Sequence, residues 1–125
     1  MNGDNKLIKY EPITASEFGL EDKAFFGYAG YDISENKECG KCLARLDGYT
    51  MEIISIETDG DDETVEGFIR SALSYGANRL AYIAYYKADK GINVAQMLGF
   101  EKNSDGVLQG EIPVLLQGSC CKDKR

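Results

Sequence analysis

A chain of 125 residues, 43% apolar and 28% charged, is long enough for one domain with one hydrophobic core and ordinary for a globular protein. Its net charge of −7 disfavours nucleic acid and anionic membranes as partners, both of which need a positive face, and suits a cationic ligand such as an amine. With no histidine anywhere, Ser–His–Asp and Cys–His nucleophiles and HExxH zinc sites are excluded, so a proton acceptor must be a carboxylate, a tyrosinate, a thiolate or a water chain. No stretch has the length of a transmembrane helix, and the opening MNGDNK lacks the apolar run of a signal peptide, so a cytoplasmic location is expected.

Taken in order, Lys6 to Ile13 alternates and is predicted as a first strand that Pro12 brings to an end. Thr14-Ala15-Ser16-Glu17 has the spacing of a capping box and predicts a short helix from Ala15 that does not pass Asp22. Ala24 to Ile33 reads as strand, with Phe26, Tyr28 and Gly30 on one face and its glycines marking a bulge or a close backbone approach. Ser34 to Gly40 reads as a loop and Lys41 to Leu46 as a short strand. Asp47-Gly48 is a two-residue hairpin signal.

The centre of the chain follows. Met51 to Ile56 is too apolar and β-branched for a surface strand and belongs in mid-sheet. Val65, Phe68, Ile69, Ala72, Leu73 and Gly76 recur with the spacing of a helix lying on a sheet, and Leu80 to Tyr85 returns as a strand. This strand–helix–strand unit predicts two parallel strands, with ligands expected beyond their carboxyl ends. Lys87 to Leu98 reads as a last short helix capped by Gly99. Phe100 to Lys102 and Gly110 to Leu116 read as a closing strand pair, and residues 117–125 as a mobile tail. The fold class expected is α+β, an α/β sandwich on a mixed sheet, in one domain spanning residues 1–125.

Few residues are candidates for chemistry. Asp59, Asp61, Asp62 and Glu63 surround Gly60 at the start of the central helix; capping and dipole compensation explain them, and their spacing matches no calcium loop. Cys39 and Cys42 form a CxxC, placed by the pattern in a turn between strands rather than at a helix start. The adjacent Cys120 and Cys121 are awkward as ligands to one metal, so reduced thiols are the plainer reading and no metal is assigned. Glu52 and Glu57 lie five apart on the central strand and are expected on opposite faces, Glu57 toward the ligand end as a candidate general base. Tyr82, Tyr85 and Tyr86 are packing residues whose hydroxyls reach a rim, and one of them could line a pocket or donate a proton.

Four segments, MEIISIE (51–57), ETVEGFIRSALSYGANR (63–79), LAYIAYY (80–86) and MLGFEK (97–102), follow one another in an order that resembles the GNAT superfamily of acyl-CoA-dependent N-acyltransferases. They look like that family's fourth strand, third helix, fifth strand and the end of its fourth helix. The resemblance implies a GNAT-like sheet with antiparallel N-terminal strands, one parallel strand–helix–strand unit and closing antiparallel strands. It further implies acetyl-CoA as cofactor, bound by Ser55 and Ile56 on the strand and by Gly60, Asp61, Asp62, Glu63 and Thr64 at the helix start. In such a site a primary amine attacks the thioester, a backbone N–H near Ser55 to Glu57 polarises the carbonyl, Glu57 takes the amine's proton, and Tyr85 or Tyr86 protonates the thiolate.

The chain departs from the family at two places. Its turn reads TDGDDE where the family has Gln/Arg-x-x-Gly-x-Gly/Ala, and Ala95 stands where the family often has a tyrosine. Three readings stay open: an N-acetyltransferase acting on a small-molecule amine, with homodimerisation compatible; a GNAT-fold binding or interaction module that has lost the cofactor; and a cysteine-based metal or redox protein.

Overall fold

The structure, a computed structural model, describes the backbone of residues 7–122 and the side chains as far as Gln117. Seven strands form one mixed sheet in the order β1-β2-β3-β4-β5-β7-β6. They are β1 (Ile8–Thr14), β2 (Phe25–Asp32), β3 (Lys37–Asp47), β4 (Thr50–Thr58), β5 (Ile83–Tyr86), β6 (Glu101–Lys102) and β7 (Leu108–Glu111). Among the described residues only β4 and β5 run parallel, and helix α1 (Asp62–Asn78) connects them. The other helices are α2 (Ile92–Leu98) and α3 (Ile112–Lys122), with a 3-10 helix at Ala15–Phe18. The α+β class and the mixed sheet are as predicted. No helix among the described residues is long and apolar enough to cross a membrane.

Local chemistry sets most of these boundaries. Glu17 reaches back to accept from the Thr14 N–H at 3.1 Å, the carboxylate half of a capping box. The hairpin between β3 and β4 turns on Gly48 (φ 62°) and Tyr49, one residue later than predicted, with Asp47 paired to Thr50. Pro12 sits inside β1 rather than at its end. It is tolerated because β1 is an edge strand bonded only to β2.

Helix α1 buries the six residues of its predicted stripe, with Thr64 beside them. Phe26 stacks on Tyr75 (4.1 Å between centroids, 14°), and Tyr10 meets Phe68 edge-on (5.0 Å, 79°). Met51, Ile53 and Ile56 of β4 lie beneath, with Cys42 and Ala44 of β3. Helices α2 and α3 touch α1 and each other, so all three occupy one face of the sheet.

Several further expectations need correction, beginning with the second parallel strand, which runs Ile83–Tyr86 rather than from Leu80. The polar stretch at Ser34–Gly40 is a loop only to Asn36; β3 starts at Lys37 because the end of β2 pairs with Lys37 and Glu38, and the end of β4 joins from Gly40. Ile112 to Leu116 is helix, not strand: Ile112 and Leu115, three apart, are both fully buried, and Pro113 sits in the first turn, where its missing N–H costs nothing. The helix expected from Lys87 starts only at Ile92, after Gly91 at φ 83°. Finally, a β-bulge between β3 and β4 leaves Ile54 as an extra residue, which reverses the alternation. Ile53 and Ile56 therefore both point into the core, and Glu52 and Glu57 share the other face. The tail predicted over 117–125 continues α3 as far as Lys122; residues 123–125 and the side chains of Cys120 and Cys121 lie outside the description.

Candidate functional site

The carboxyl ends of β4 and β5 are where the sheet opens. Their pairing runs from Thr50↔Ile83 to Ile53↔Tyr86, and the last link is the Lys87 N–H donating to the Ile53 carbonyl at 2.8 Å. Beyond that point β4 continues to Thr58 bonded to β3 alone. Alternate backbone groups of the Ser55–Thr58 stretch therefore face an edge with no strand beside it. The bulge at Ile54 falls where the two strands part, and bulges raise local twist.

Helix α1 begins directly after this open stretch. Thr58 Oγ1 donates to the Cys39 carbonyl at 2.6 Å and accepts from the Gly60 N–H at 2.9 Å, tying the turn to β3. Asp61 is the N-cap: its carboxylate accepts from the Thr64 N–H and Oγ1, each at 3.1 Å. Asp62 and Glu63 occupy the first turn, where negative charge suits the helix dipole. Tyr10 clamps that turn from β1, donating to the Thr64 carbonyl at 3.0 Å. Burial, helped by nearby negative charge, pushes the Tyr10 phenol up to about 12. This clamp was not predicted. Its trace in the sequence is Gly67, where a Cβ would lie 2.1 Å from the Tyr10 hydroxyl.

The predicted site residues divide between separate places. Glu57 is exposed, lies across from Lys41, and lines an acidic groove of about 530 Å³ with Asp32, Glu35, Glu38 and Asp59. Asp32 has an internal task there, accepting from the Ser34 N–H and hydroxyl and the Glu35 N–H. Tyr86 lies under the other face, buried, with its ring tilted against Phe100 and its hydroxyl donating to the Lys90 carbonyl. Burial, more than the nearby Cys42 thiol, raises its pKa. A Cβ on Gly91 would come within 2.6 Å of Val65 and 2.7 Å of the Tyr86 hydroxyl, so the 87–91 loop seals the space between α1 and the end of β5. Tyr86 also borders a second groove, about 440 Å³, with Ile92, Gln96 and Lys102. Tyr85 projects to the opposite face, in the cross-strand row of Glu52 and Gln109. Ala95 is fully buried, so the position that the family resemblance reserves for an acid is plain core packing.

The thiols are placed differently from the expectation. Cys39 and Cys42 lie within β3, no disulfide joins them, and burial pushes the Cys42 thiol up to about 12. That thiol stays protonated and unreactive at neutral pH. No group of His, Cys, Asp or Glu among the described residues is arranged to hold a metal ion. Compared with known proteins, the chain matches no family model and no curated protein.

Proposed function

We propose that the chain has a GNAT-type fold and acts as an acyl-CoA-dependent N-acyltransferase on a primary amine. One observation carries the reading: a single parallel strand pair that parts after Ile53 and Tyr86, with a bulge in β4 and a helix start directly beyond it. A thioester carbonyl lying against the unpaired edge of Ser55–Glu57 would meet backbone N–H donors there. Glu57, at the end of that stretch, is the carboxylate available to take the amine's proton. Tyr86 is a poor choice for the acid, since its proton is already given to Lys90; Tyr85 lies on the face that carries Glu57.

A second reading, a binding module without cofactor, is favoured by two features. Asp61, Asp62 and Glu63 stand where a pyrophosphate would sit, and like charges brought together cost several kcal/mol, against roughly 0.3–1 kcal/mol of attraction from a helix dipole. Tyr86 and Gly91 also fill the ground behind the parting strands.

Titration of acetyl-CoA into the reduced protein separates the two. Acyl transfer predicts weak binding that strengthens as salt screens the carboxylates, and about tenfold tightening in the Asp62→Asn/Glu63→Gln double variant. No heat at millimolar cofactor from either folded protein would end the acyltransferase reading and leave the binding module.

A further inference from the structure

The three helices cover one face of the sheet; on the other, Phe18 of the 3-10 helix lies against Gly27, Ala29 beside it is buried, and Asp22 reaches Arg45. The uncovered face is apolar through its middle. Ile13, Phe25, Leu43, Ile54, Ile83 and Tyr85 all stand there, each partly exposed. The edges of the sheet are guarded against association: β1 carries Lys9 and Pro12, and β6 is two residues long. The broad face has no such guard.

Its charges are arranged in pairs of opposite sign along the two central strands. Arg45 and Lys41 lie on β3; their register partners on β4 are Glu52 and Glu57. We propose that this face packs against the same face of a second copy of the chain, around a two-fold axis that runs along the strands between β3 and β4. That operation lays β3 over the β4 of the other copy at the same height, so Arg45 meets the partner's Glu52 and Lys41 meets the partner's Glu57. The row through Leu43 and its register partner Ser55, with the bulged Ile54 beside it, packs on its own image, as an isologous contact requires.

The charges already present leave room for this. Arg45 lies 3.6 Å from Asp22 and 3.8 Å from Asp47, loose contacts at the rim, while Glu52 holds Lys87 at 3.0 Å. Seven strands about 4.8 Å apart and roughly 20 Å tall give a face on the order of 600 Å² in plan, close to the ~800 Å² per partner of a standard interface once side-chain relief is counted. The surface includes Glu57 and Tyr85, so a dimer of this kind covers the side chains that acyl transfer would use and accords with the binding-module reading.

The test is sedimentation velocity on the whole chain across a concentration series, with circular dichroism to establish that each variant is folded. Wild type should pass from monomer to dimer as concentration rises. Arg45→Glu and Glu52→Arg should each weaken self-association by about tenfold or more through like-charge contacts. Mixed one to one, the two variants should restore a dimer, because each then offers the charge the other lacks. Wild type that stays monomeric at millimolar concentration would overturn the proposal. So would a folded pair of variants that dimerise as well as wild type, or that fail to associate when mixed.

Discussion

The two faces of this sheet are built from the same strands and differ in almost every physical respect. On the covered face Cys42, Ala44, Met51, Ile53 and Phe68 have no exposed surface. Glycine lets the layers approach: a Cβ at Gly30 would be 2.8 Å from the Phe68 ring, and one at Gly76 would be 2.4 Å from the Met51 sulfur. On the open face Leu43, Ile54 and Tyr85 keep part of their surface in water among ion pairs such as Lys87–Glu52. Strand alternation deals residues to both faces, but one extra residue at Ile54 decides who goes where beyond it. Without that bulge Ile56 would face water and Glu57 the core. The open face is thus as strictly specified by strand register as the buried one, although its burial and its charges are so different.

The sharpest way to break this contrast is to truncate one side chain on each face. Phe68→Ala removes a fully buried ring between Tyr10 and Gly30 and should cost about 3–5 kcal/mol. Leu43→Thr should cost under about 1 kcal/mol in dilute solution, where its surface is already partly wet. Urea denaturation midpoints check both; equal losses would mean that the two faces are equally packed.

A smaller effect separates the faces by pH. Tyr10 and Cys42, both on the covered face, have pKa values raised to about 12 from ordinary values of 10.0 and 9.0. Each folded-state pKa is above its unfolded value, so the stability linked to it is complete below pH 9 and is lost as pH rises toward 12. The urea midpoint should stay flat to about pH 9 and then fall. In Cys42→Ala the fall should begin about one pH unit later, near the tyrosine value, whatever the variant's stability at neutral pH. An unshifted onset would mean that the thiol is not the first group to titrate on unfolding.

How far all this could be read from the residues depends on whether the cause was local. The α1 stripe was legible because helical spacing and burial coincide at Val65, Phe68, Ile69, Ala72, Leu73 and Gly76. Capping by Asp61 or Asp62 was legible, since a short acid before an apolar run has few other uses, and the structure gives the cap to Asp61. The early start of β3 at Lys37 was not, because what holds that polar stretch in a strand is pairing with the far ends of β2 and β4. Nor was α3, whose short apolar run of Ile112 to Leu116 fits either period until packing decides. The bulge at Ile54 leaves no mark on composition, which is why Glu52 and Glu57 were assigned to opposite faces. In the candidate site, Glu57 could be placed at the strand end from sequence alone. The separation of Tyr85 from Tyr86 follows from strand alternation, but the capture of the Tyr86 hydroxyl by Lys90 follows from a loop path that only the fold supplies.

The smallest effect concerns a residue that belongs to neither face and so can sharpen every measurement above. Helix α1 ends in a Schellman motif: Leu80 N–H donates to the Ala77 carbonyl at 3.1 Å and Ala81 N–H to the Gly76 carbonyl at 2.9 Å. The position between Arg79 and Ala81 requires the left-handed conformation, which suits glycine, yet it is held by leucine at φ 73° with 80% of its surface exposed. A left-handed β-carbon costs roughly 1–2 kcal/mol, and a side chain so exposed gives back little burial. Leu80→Gly also loosens the unfolded chain, which offsets part of the gain, by about 0.5–1 kcal/mol. The net expectation is a stabilisation of up to about 1 kcal/mol, seen as a rise of a few degrees in Tm by calorimetry. Leu80 is remote from the Phe68 ring and from Leu43, so its gain should add to the loss at either site within about 0.5 kcal/mol. A destabilised Leu80→Gly variant would mean that the leucine side chain is buried after all, against a neighbour that the isolated chain does not contain.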